Sequence, residues 1–600
     1  MSAPAQPVRV QGAAHALRTL WRVASDLPSA PTLRRCVVYQ FLWSVCTAIP
    51  VGLLVVAIER MRGGTLTAAG AWLYAAAGVA ALAAQCVFGR IAHSEAWIGG
   101  LDFAHELRMR VLDHLRRLPM AFHARGKEGD TAANFTSDMY QIELFTEGAL
   151  PRIGAAAGLP AAVLVVLFVV DVPLAGAVAL SVVLSVPLFL WVQARMVRLA
   201  EMRQDLQATA TARVIEYVKG IAVIRAFNQQ GTAQERLRTS LDDFRKINNT
   251  LIYKLVPLFG TVGAVIKLGV PIVIAAAAYR LFGGSVDVGT AIVFLVLAVA
   301  FYTPIVEALG PTVAMHLAAA SLDRVAGVLD TPAQPEPAHP VPLAGRDVAF
   351  DQVSFGYQPG VTVLHDVSFT APANSMTAIV GPSGAGKTTM LNLVARFWDP
   401  DQGSVRIGGV DLRQASSEQI FDTVSVVFQD VYLFSGTIFD NIAFGRAHAR
   451  PDDVITAAKA ACCHDFITAL PGGYDTTVGE GGHTLSGGER QRVSIARAIL
   501  KDAPVVLLDE ATAALDAINE KLIQHALAAL TADKTLLVVA HRLSTIRAAD
   551  QILVLDGGRI VQRGTHDQLI AQGGLYARFC TQRERASGWR LDRRQPLSGS

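Results

Sequence analysis

Six apolar stretches, at 36–58, 69–89, 150–170, 174–194, 257–279 and 287–309, constrain this chain more than anything else in it. Each is long enough for a helix of about 20 residues to cross the hydrocarbon of a bilayer, where the backbone polar groups must be satisfied within the segment itself. An even number of crossings returns both ends to one side. Basic residues near the span ends decide which side. Arg34, Arg35, Arg108, Arg110, Arg116, Arg117, Lys127, Arg195, Arg198, Arg203, Arg213 and Lys219 fall on one side, whereas the opposite loops carry only Arg60, Arg62 and Arg280. The termini and long loops are therefore expected in the cytoplasm, with the chain multi-pass in the cytoplasmic (inner) membrane. The residues before the first span hold no short apolar core with a small-residue cleavage site, so that span is expected to direct insertion.

The long loops are not featureless. HELRMRVLDHLRRL (105–118) and DLQATATARVIEYVKGIAVIRAF (205–227) keep apolar residues at helical spacing, so the membrane helices are expected to continue well beyond the bilayer. Short breaks at FHARGKEGD (122–130) and FNQQGT (227–232) are candidate contacts with a soluble part. That part follows TPAQPEPAHPVP (331–342), a proline-rich stretch that cannot be helical and reads as a semi-rigid spacer. Composition agrees with two parts: at 52% hydrophobic and 17% charged over 600 residues, the chain is too apolar for a soluble protein and too long for one domain. A net charge of only +3 without a lysine and arginine block argues against nucleic acid as a partner. The six cysteines, at 36, 46, 86, 462, 463 and 580, lack metal-ligand spacing and read as reduced structural thiols. The expected fold is an α-helical six-span transmembrane domain followed by an α/β P-loop ATPase domain. Its boundaries are an N-terminal segment 1–35, a transmembrane domain 36–330, the linker 331–342, the ATPase domain 343–585 and a tail 586–600.

GPSGAGKTT (381–389) carries the chemistry. It follows the apolar run MTAIV and precedes MLNLVARF, the strand, glycine loop and helix that a phosphate-binding loop requires. Gly381, Ser383, Gly384 and Gly386 let the backbone wrap a phosphate, so that N–H groups and the helix N-terminus face the negative charge. Lys387 is placed to reach the β and γ phosphates, Thr388 to hold Mg²⁺, and Thr389 to close the same turn. VVLLDE (505–510) is an apolar strand ending in two acids, which suits Asp509 to the metal shell and Glu510 to polarising the attacking water. ATP and Mg²⁺ are the expected cofactors.

A second glycine pair, in LSGGERQR (485–492), completes a pattern. With it, residues 343–585 resemble the nucleotide-binding domain of the ATP-binding cassette transporters, whose signature sequence this is. The resemblance implies that Ser486, Gly487 and Gly488 contact the γ phosphate of a nucleotide held by a second cassette, so the working unit is a homo- or heterodimer of half-transporters. By the same resemblance Tyr357 stacks on adenine, and Gln429 senses Mg²⁺ and links the site to the membrane part. TVGEGG (477–482) is the contact loop of the exporter type, Asp516 the interface aspartate and His541 the histidine on the γ phosphate. Ala514 stands where many relatives carry serine. The six spans before one cassette resemble an exporter-type half-transporter over essentially the whole chain, with two coupling turns near 122–130 and 225–231.

Cargo is less constrained. HELRMRVLDHLRRLP (105–119), SMTAIVGPSGAGKTT (375–389) and VVFQDVYLF (426–434) resemble the half-transporters that take up the siderophores yersiniabactin and mycobactin. A ferric siderophore is the small-molecule cargo this implies, against export of a lipid or drug, or a membrane-tethered regulatory ATPase that moves nothing. Lys267, within the fifth span, is a candidate for attracting an anionic cargo, because a charge at that depth is costly and marks a pathway or a paired site. Pairing with Glu307 of the sixth span, or snorkelling, is the competing reading. Pro50, Pro187, Pro271 and Pro304 are expected to kink their spans. With the first span beginning within the first 40 residues, no fused iron-reductase domain is expected, and any reduction of iron falls to another protein.

Overall fold

The computed structural model describes residues 13–123, 134–307, 310, 312–358, 360–482, 484–509, 517–540 and 546–587. The chain divides into two units, the first comprising Met1–Arg117 and Lys127–Pro332 and the second Leu118–Gly126 with Ala333–Ser600.

In the first unit six helices are long and apolar enough to cross a membrane: Ala30–Ile58, Ala68–Leu115, Thr136–Val170, Val172–Arg195, Gly260–Phe282 and Val288–Glu307. They coincide with the six expected spans. The second and fourth belong to helices of 48 residues each, Ala68–Leu115 and Val172–Lys219. At 1.5 Å per residue each is about 70 Å long, more than twice the roughly 30 Å of hydrocarbon. HELRMRVLDHLRRL continues the second span as expected, and Gly220 separates the fourth-span helix from the short helix Ile221–Ala226.

The spans pack through small residues, as helices in lipid must when burial of apolar surface does not drive association. Gly154 and Gly158 lie one turn apart on the third span, and a Cβ on either would come within 2.4 Å of the Val37 carbonyl or 2.5 Å of the Phe41 carbonyl of the first. The same contact carries a hydroxyl: Ser44 donates to the Ala155 carbonyl at 2.6 Å and accepts from the Leu159 N–H at 2.9 Å.

The fifth span is kinked, as expected: the helical ladder is interrupted at Leu268, whose φ of −60° and ψ of −18° stay helical, between a helix ending at Lys267 and one running Gly269–Phe282. Pro271 explains the position, since its ring displaces the carbonyl four residues earlier, that of Lys267, from the helical ladder. Pro50, Pro187 and Pro304 lie inside helices that run through them. At the kink, Gly269 is obligatory, because a Cβ there would lie 2.1 Å from the Tyr302 hydroxyl.

The second unit is built on two sheets. Strands β1 (Val348–Phe355), β2 (Leu364–Ala371), β4 (Gln402–Ile407) and β5 (Val410–Asp411) form an antiparallel sheet in the order β2-β1-β4-β5. Strands β3 (Met376–Val380), β6 (Val424–Val427), β9 (Val505–Asp509), β10 (Thr535–Val539), β11 (Gln551–Asp556) and β12 (Arg559–Gly564) form the other, in the order β12-β11-β3-β10-β9-β6, while the two-residue strands β7 (Gly436–Thr437) and β8 (Thr477–Val478) pair only with each other. All its pairings are parallel except β11 with β12. Its strands are apolar at nearly every position because both faces are covered: Ala378, Val380, Val506, Leu508, Leu536 and Val538 enter one core, and Ile379, Val505, Leu507, Leu537 and Val539 the other.

The proline-rich stretch departs from the expected spacer. It is non-helical, but residues 334–341 are fastened to this unit. Gln334 donates to the Arg396 carbonyl at 3.0 Å, the Pro335 carbonyl accepts from Arg396 at 2.9 Å, Glu336 accepts from the Ser417 N–H at 3.2 Å, and the Val341 N–H donates to Gln414 at 2.8 Å. Prolines stiffen a chain without supplying partners; backbone and side-chain groups of Arg396, Gln414 and Ser417, 61 to 81 residues away, supply them here.

Candidate nucleotide site

Parallel strands put their carboxyl ends at one edge of a sheet, and in open α/β sheets ligands bind there. The order β3-β10-β9-β6 delivers to that edge the loop after Val380, the end of β10 at Val539, Asp509 at the end of β9 and the Phe428–Gln429 turn after β6. The registers Val539 opposite Ile379 and Asp509, and Val427 opposite Leu508, hold them level.

The phosphate loop leaves β3 at Gly381 and enters the helix Lys387–Val394. Gly384 and Gly386 hold φ of +80° and +99°, which only glycine adopts without strain, and a Cβ on Gly386 would meet Leu364 Cδ2 at 2.7 Å. Ser383, Gly384 and Thr388 are exposed along the loop, and Thr389 is buried. Lys387 is 7% exposed and turns back over the loop, its ammonium donating to the carbonyls of Gly381 at 3.1 Å and Pro382 at 2.9 Å. A buried ammonium at the mouth of a helix N-terminus makes a strongly electropositive cradle.

Thr388 and Asp509, 121 positions apart in sequence, meet: the Thr388 hydroxyl donates to Asp509 Oδ1 at 3.3 Å. A hydroxyl and a carboxylate side by side are the hard oxygen donors that Mg²⁺ takes from protein alongside phosphate oxygens, so this pair fits the metal. Gln429 lies exposed just past β6. Its neighbours Phe428 and Asp430 line a groove of about 400 Å³ with Tyr432, Phe434 and Phe444. The Arg497 guanidinium lies 5.7 Å and 5.5 Å from the Phe434 and Phe444 ring centres, and burial pushes the Lys501 ammonium down from its ordinary range.

Tyr357 stands beside the same helix. Its hydroxyl donates to Thr389 at 3.1 Å and accepts from Asn392 at 3.2 Å, while its ring packs edge-on against Phe355 and Trp398 at 5.0 Å and 5.1 Å. Sequence reading missed Asn392 and Trp398, since neither belongs to a recognisable spacing.

Ser486 is the N-cap of the helix Gly487–Lys501. It accepts from the Glu489 N–H at 3.3 Å while its own N–H donates to the Glu489 carboxylate at 2.8 Å, a capping box readable as S-x-x-E. Ser486 and Gly487 are exposed and Gly488 is buried. TVGEGG meets this helix through Arg490, which donates to the Gly482 carbonyl at 3.4 Å, and the Gly481 N–H donates to the Leu433 carbonyl at 3.1 Å. Glu510, Asp516 and His541 lie outside the described residues. Lys267 is exposed at the kink in the fifth span, and among the described residues no carboxylate lies within 4 Å of it, so the Glu307 pairing is not formed. Among the cysteines, burial pushes the Cys463 thiol up to about 12, in keeping with a structural role.

Two family models match this chain: "ABC transporter transmembrane region" over residues 36–305 and "ABC transporter" over residues 364–513. The mycobactin import ATP-binding/permease protein IrtA of Mycolicibacterium thermoresistibile is 35% identical over 591 residues, covering 93% of this chain but 63% of that protein. IrtB of the same organism, also named for mycobactin import, is 40% identical over 447 residues, covering 74% and 76%. A fatty acid ABC transporter ATP-binding/permease protein of Mycobacterium bovis is 36% identical over 479 residues, covering 78% and 75%. The chain thus spans less than two thirds of the IrtA relative's length. Among solved structures, a bacterial Atm1-family ABC exporter with ATP bound is 31% identical, with a TM-score of 0.78 over 92% of this chain and 98% of that one. The chain therefore belongs to the ATP-binding cassette transporters, as a half-transporter of the exporter fold with one six-span membrane region and one ATPase domain.

Proposed function

We propose that this chain is one half of an ATP-driven transporter that carries a ferric siderophore across the cytoplasmic membrane into the cell, its termini and ATPase domain on the cytoplasmic side. The observation that carries the ATP-driven part is the convergence, at one sheet edge, of a glycine loop, a buried lysine and the Thr388–Asp509 pair. The loop N–H groups, Ser383, Thr389 and Lys387 hold the phosphates, and Tyr357 takes the adenine ring. Thr388, Asp509 and Gln429 hold Mg²⁺, which neutralises charge on the β and γ oxygens. Glu510 orients and deprotonates the attacking water, and His541 steadies the γ phosphate. Ser486, Gly487 and Gly488 of one chain close over the nucleotide of the second half, with Asp516 beside them at the interface. The partner is another half-transporter, and the paired relatives IrtA and IrtB support two different halves. Gln429, beside an aromatic groove, reports the state of the site to the coupling turns near 122–130 and 225–231, and alternating access follows closure and reopening of the cassettes.

The direction and cargo rest on the likeness to a mycobactin import protein along 93% of the chain. Export of a lipid or drug is the second reading, favoured by the fold shared with an Atm1-family exporter and by the fatty acid relative. The two separate in proteoliposomes carrying the chain with any co-purified partner, cassettes outward, preloaded with labelled ferric siderophore. ATP added outside should empty the lumen of label, and Glu510→Gln should not. A flat trace from vesicles that still hydrolyse ATP transfers the assignment to export, and stimulation of hydrolysis by cargo without any movement assigns a regulatory ATPase instead.

A further inference from the structure

The corner Arg396–Trp398, just past the phosphate-loop helix, packs on Tyr357 and on Phe428 before Gln429. Arg396 is 4% exposed and holds φ of +50°. A buried guanidinium is expensive unless it is well paired, and here each of its three nitrogens donates a hydrogen bond. Its Nε donates to Asp399 at 3.1 Å, one terminal nitrogen to the Ala415 carbonyl at 2.9 Å, and the other to the Pro335 carbonyl at 2.9 Å. Its own carbonyl accepts from Gln334 at 3.0 Å. The next residue, Phe397, stacks on Phe428 at 6.3 Å and 10°, immediately before Gln429. Trp398 packs on Tyr357, whose hydroxyl bonds Thr389 and Asn392. The helix that ends at this corner begins with Lys387 and Thr388.

From this geometry we infer that residues 334–336 are a strap. Together with Arg396 they position the phosphate-loop helix, Tyr357 and the Gln429 turn, so that the state of the linker sets nucleotide affinity. The inference rests on the ATPase reading above and adds a positioning residue to it. The last turn of the final membrane-unit helix ends at Leu329, and the strap begins at Gln334. Residues 330–333 connect that helix to the strap. Glu336 fastens the far side, accepting from the Ser417 N–H at 3.2 Å and from the Ser417 hydroxyl. A strap of this kind is reciprocal: whatever factor it contributes to nucleotide affinity, nucleotide must return to the stability of the strap.

The test uses the full-length chain in lipid nanodiscs. Binding of trinitrophenyl-ATP with Mg²⁺ is measured for the natural chain, for Gln334→Ala with Glu336→Ala, and for Glu336→Gln, which keeps an acceptor for Ser417. Hydrogen exchange at residues 333–341 is followed with and without the nucleotide. The double variant is expected to bind roughly fivefold more weakly or worse, at an unchanged thermal midpoint, with Glu336→Gln recovering most of the affinity. Nucleotide should slow exchange across 333–341 in the natural chain and not in the double variant. Unchanged affinity in the double variant, with exchange indifferent to nucleotide, makes the strap a mere structural clamp and overturns the proposal. A natural chain that bound no nucleotide would instead overturn the ATPase reading, and the strap with it.

Discussion

Replacing Lys387 by alanine removes the one ammonium placed inside the phosphate loop, and the structure sets the size of the effect. The group is 7% exposed, so its charge acts through protein rather than bulk water. Two unit charges about 4 Å apart at an effective dielectric of about 20 interact by about 4 kcal/mol. That is about three decades in rate. The variant should therefore lose ~10³-fold in kcat/KM for ATP, read as phosphate release from nanodisc-embedded transporter. Stability gives a second readout, because the buried ammonium also donates to two carbonyls in the nucleotide-free chain. What the variant should lose is the upward shift of its melting point with ATP, which for the natural chain amounts to about 2.7 kcal/mol at a hundredfold excess over Kd. A fall in kcat/KM of less than tenfold, in a variant that still gains stability from ATP, would refute the placement of Lys387 on the phosphates.

Ser486→Ala should cost about 1 kcal/mol through the lost helix cap, seen as a modest fall in melting point. ATPase activity should fall at least about tenfold while trinitrophenyl-ATP binding persists, because the affected element serves the other chain's nucleotide. Lys267→Ala should leave basal ATPase and the melting point unchanged, there being no ion pair to break among the described residues, and should abolish stimulation by a ferric, carboxylate-bearing siderophore. Unaltered stimulation together with a lowered melting point would end its role in cargo. At Asp411, burial works to raise the carboxyl, but hydrogen bonds and the charge of Arg413 outweigh it and hold the group below its usual range. A depressed carboxylate contributes stability above the unfolded value of about 3.9 and loses it as the pH falls through the lower folded value. Melts of the natural chain and Asp411→Asn should therefore differ at pH 5, and the difference should shrink as the pH falls through the lowered folded value.

What could be read from sequence was what local chemistry dictates. The spans declare themselves because lipid admits only self-satisfied apolar helices, and the phosphate loop because consecutive residues make it: Gly384, Gly386 and Lys387 need no distant partner to be recognised. Pro271 announces a kink, but that the ladder is interrupted there, where Pro50, Pro187 and Pro304 leave theirs continuous, goes with the close approach of Gly269 to Tyr302 and Ser181. The linker was misjudged for a similar reason. Its prolines announce stiffness, whereas the grip on it comes from Arg396 and Ser417, residues that reveal nothing at 62 to 81 positions' distance. The meeting of Thr388 with Asp509 is a product of strand order, and sequence could name the two residues only by their motifs.

The capping box at Ser486 bears on why one chain holds two phosphate-binding elements. A helix N-terminus carries about half a positive charge, and here the Glu489 carboxylate folds back onto the Ser486 N–H at 2.8 Å and offsets it. In the isolated half the element is therefore electrostatically satisfied and has no anion to seek. In the proposed dimer, a nucleotide held by the opposite phosphate loop would change that balance, because its γ phosphate brings more charge than one carboxylate and would face the exposed Ser486 and Gly487 edge. The attraction would last only while the third phosphate is attached. On that proposal, once Glu510 directs water onto it and the product leaves, the Glu489 carboxylate again suffices for the helix end, and the closed pair loses the charge that favoured it. An element that is content without its ligand releases readily, which a half-transporter cycling between closed and open cassettes requires of its signature as much as it requires affinity of its phosphate loop.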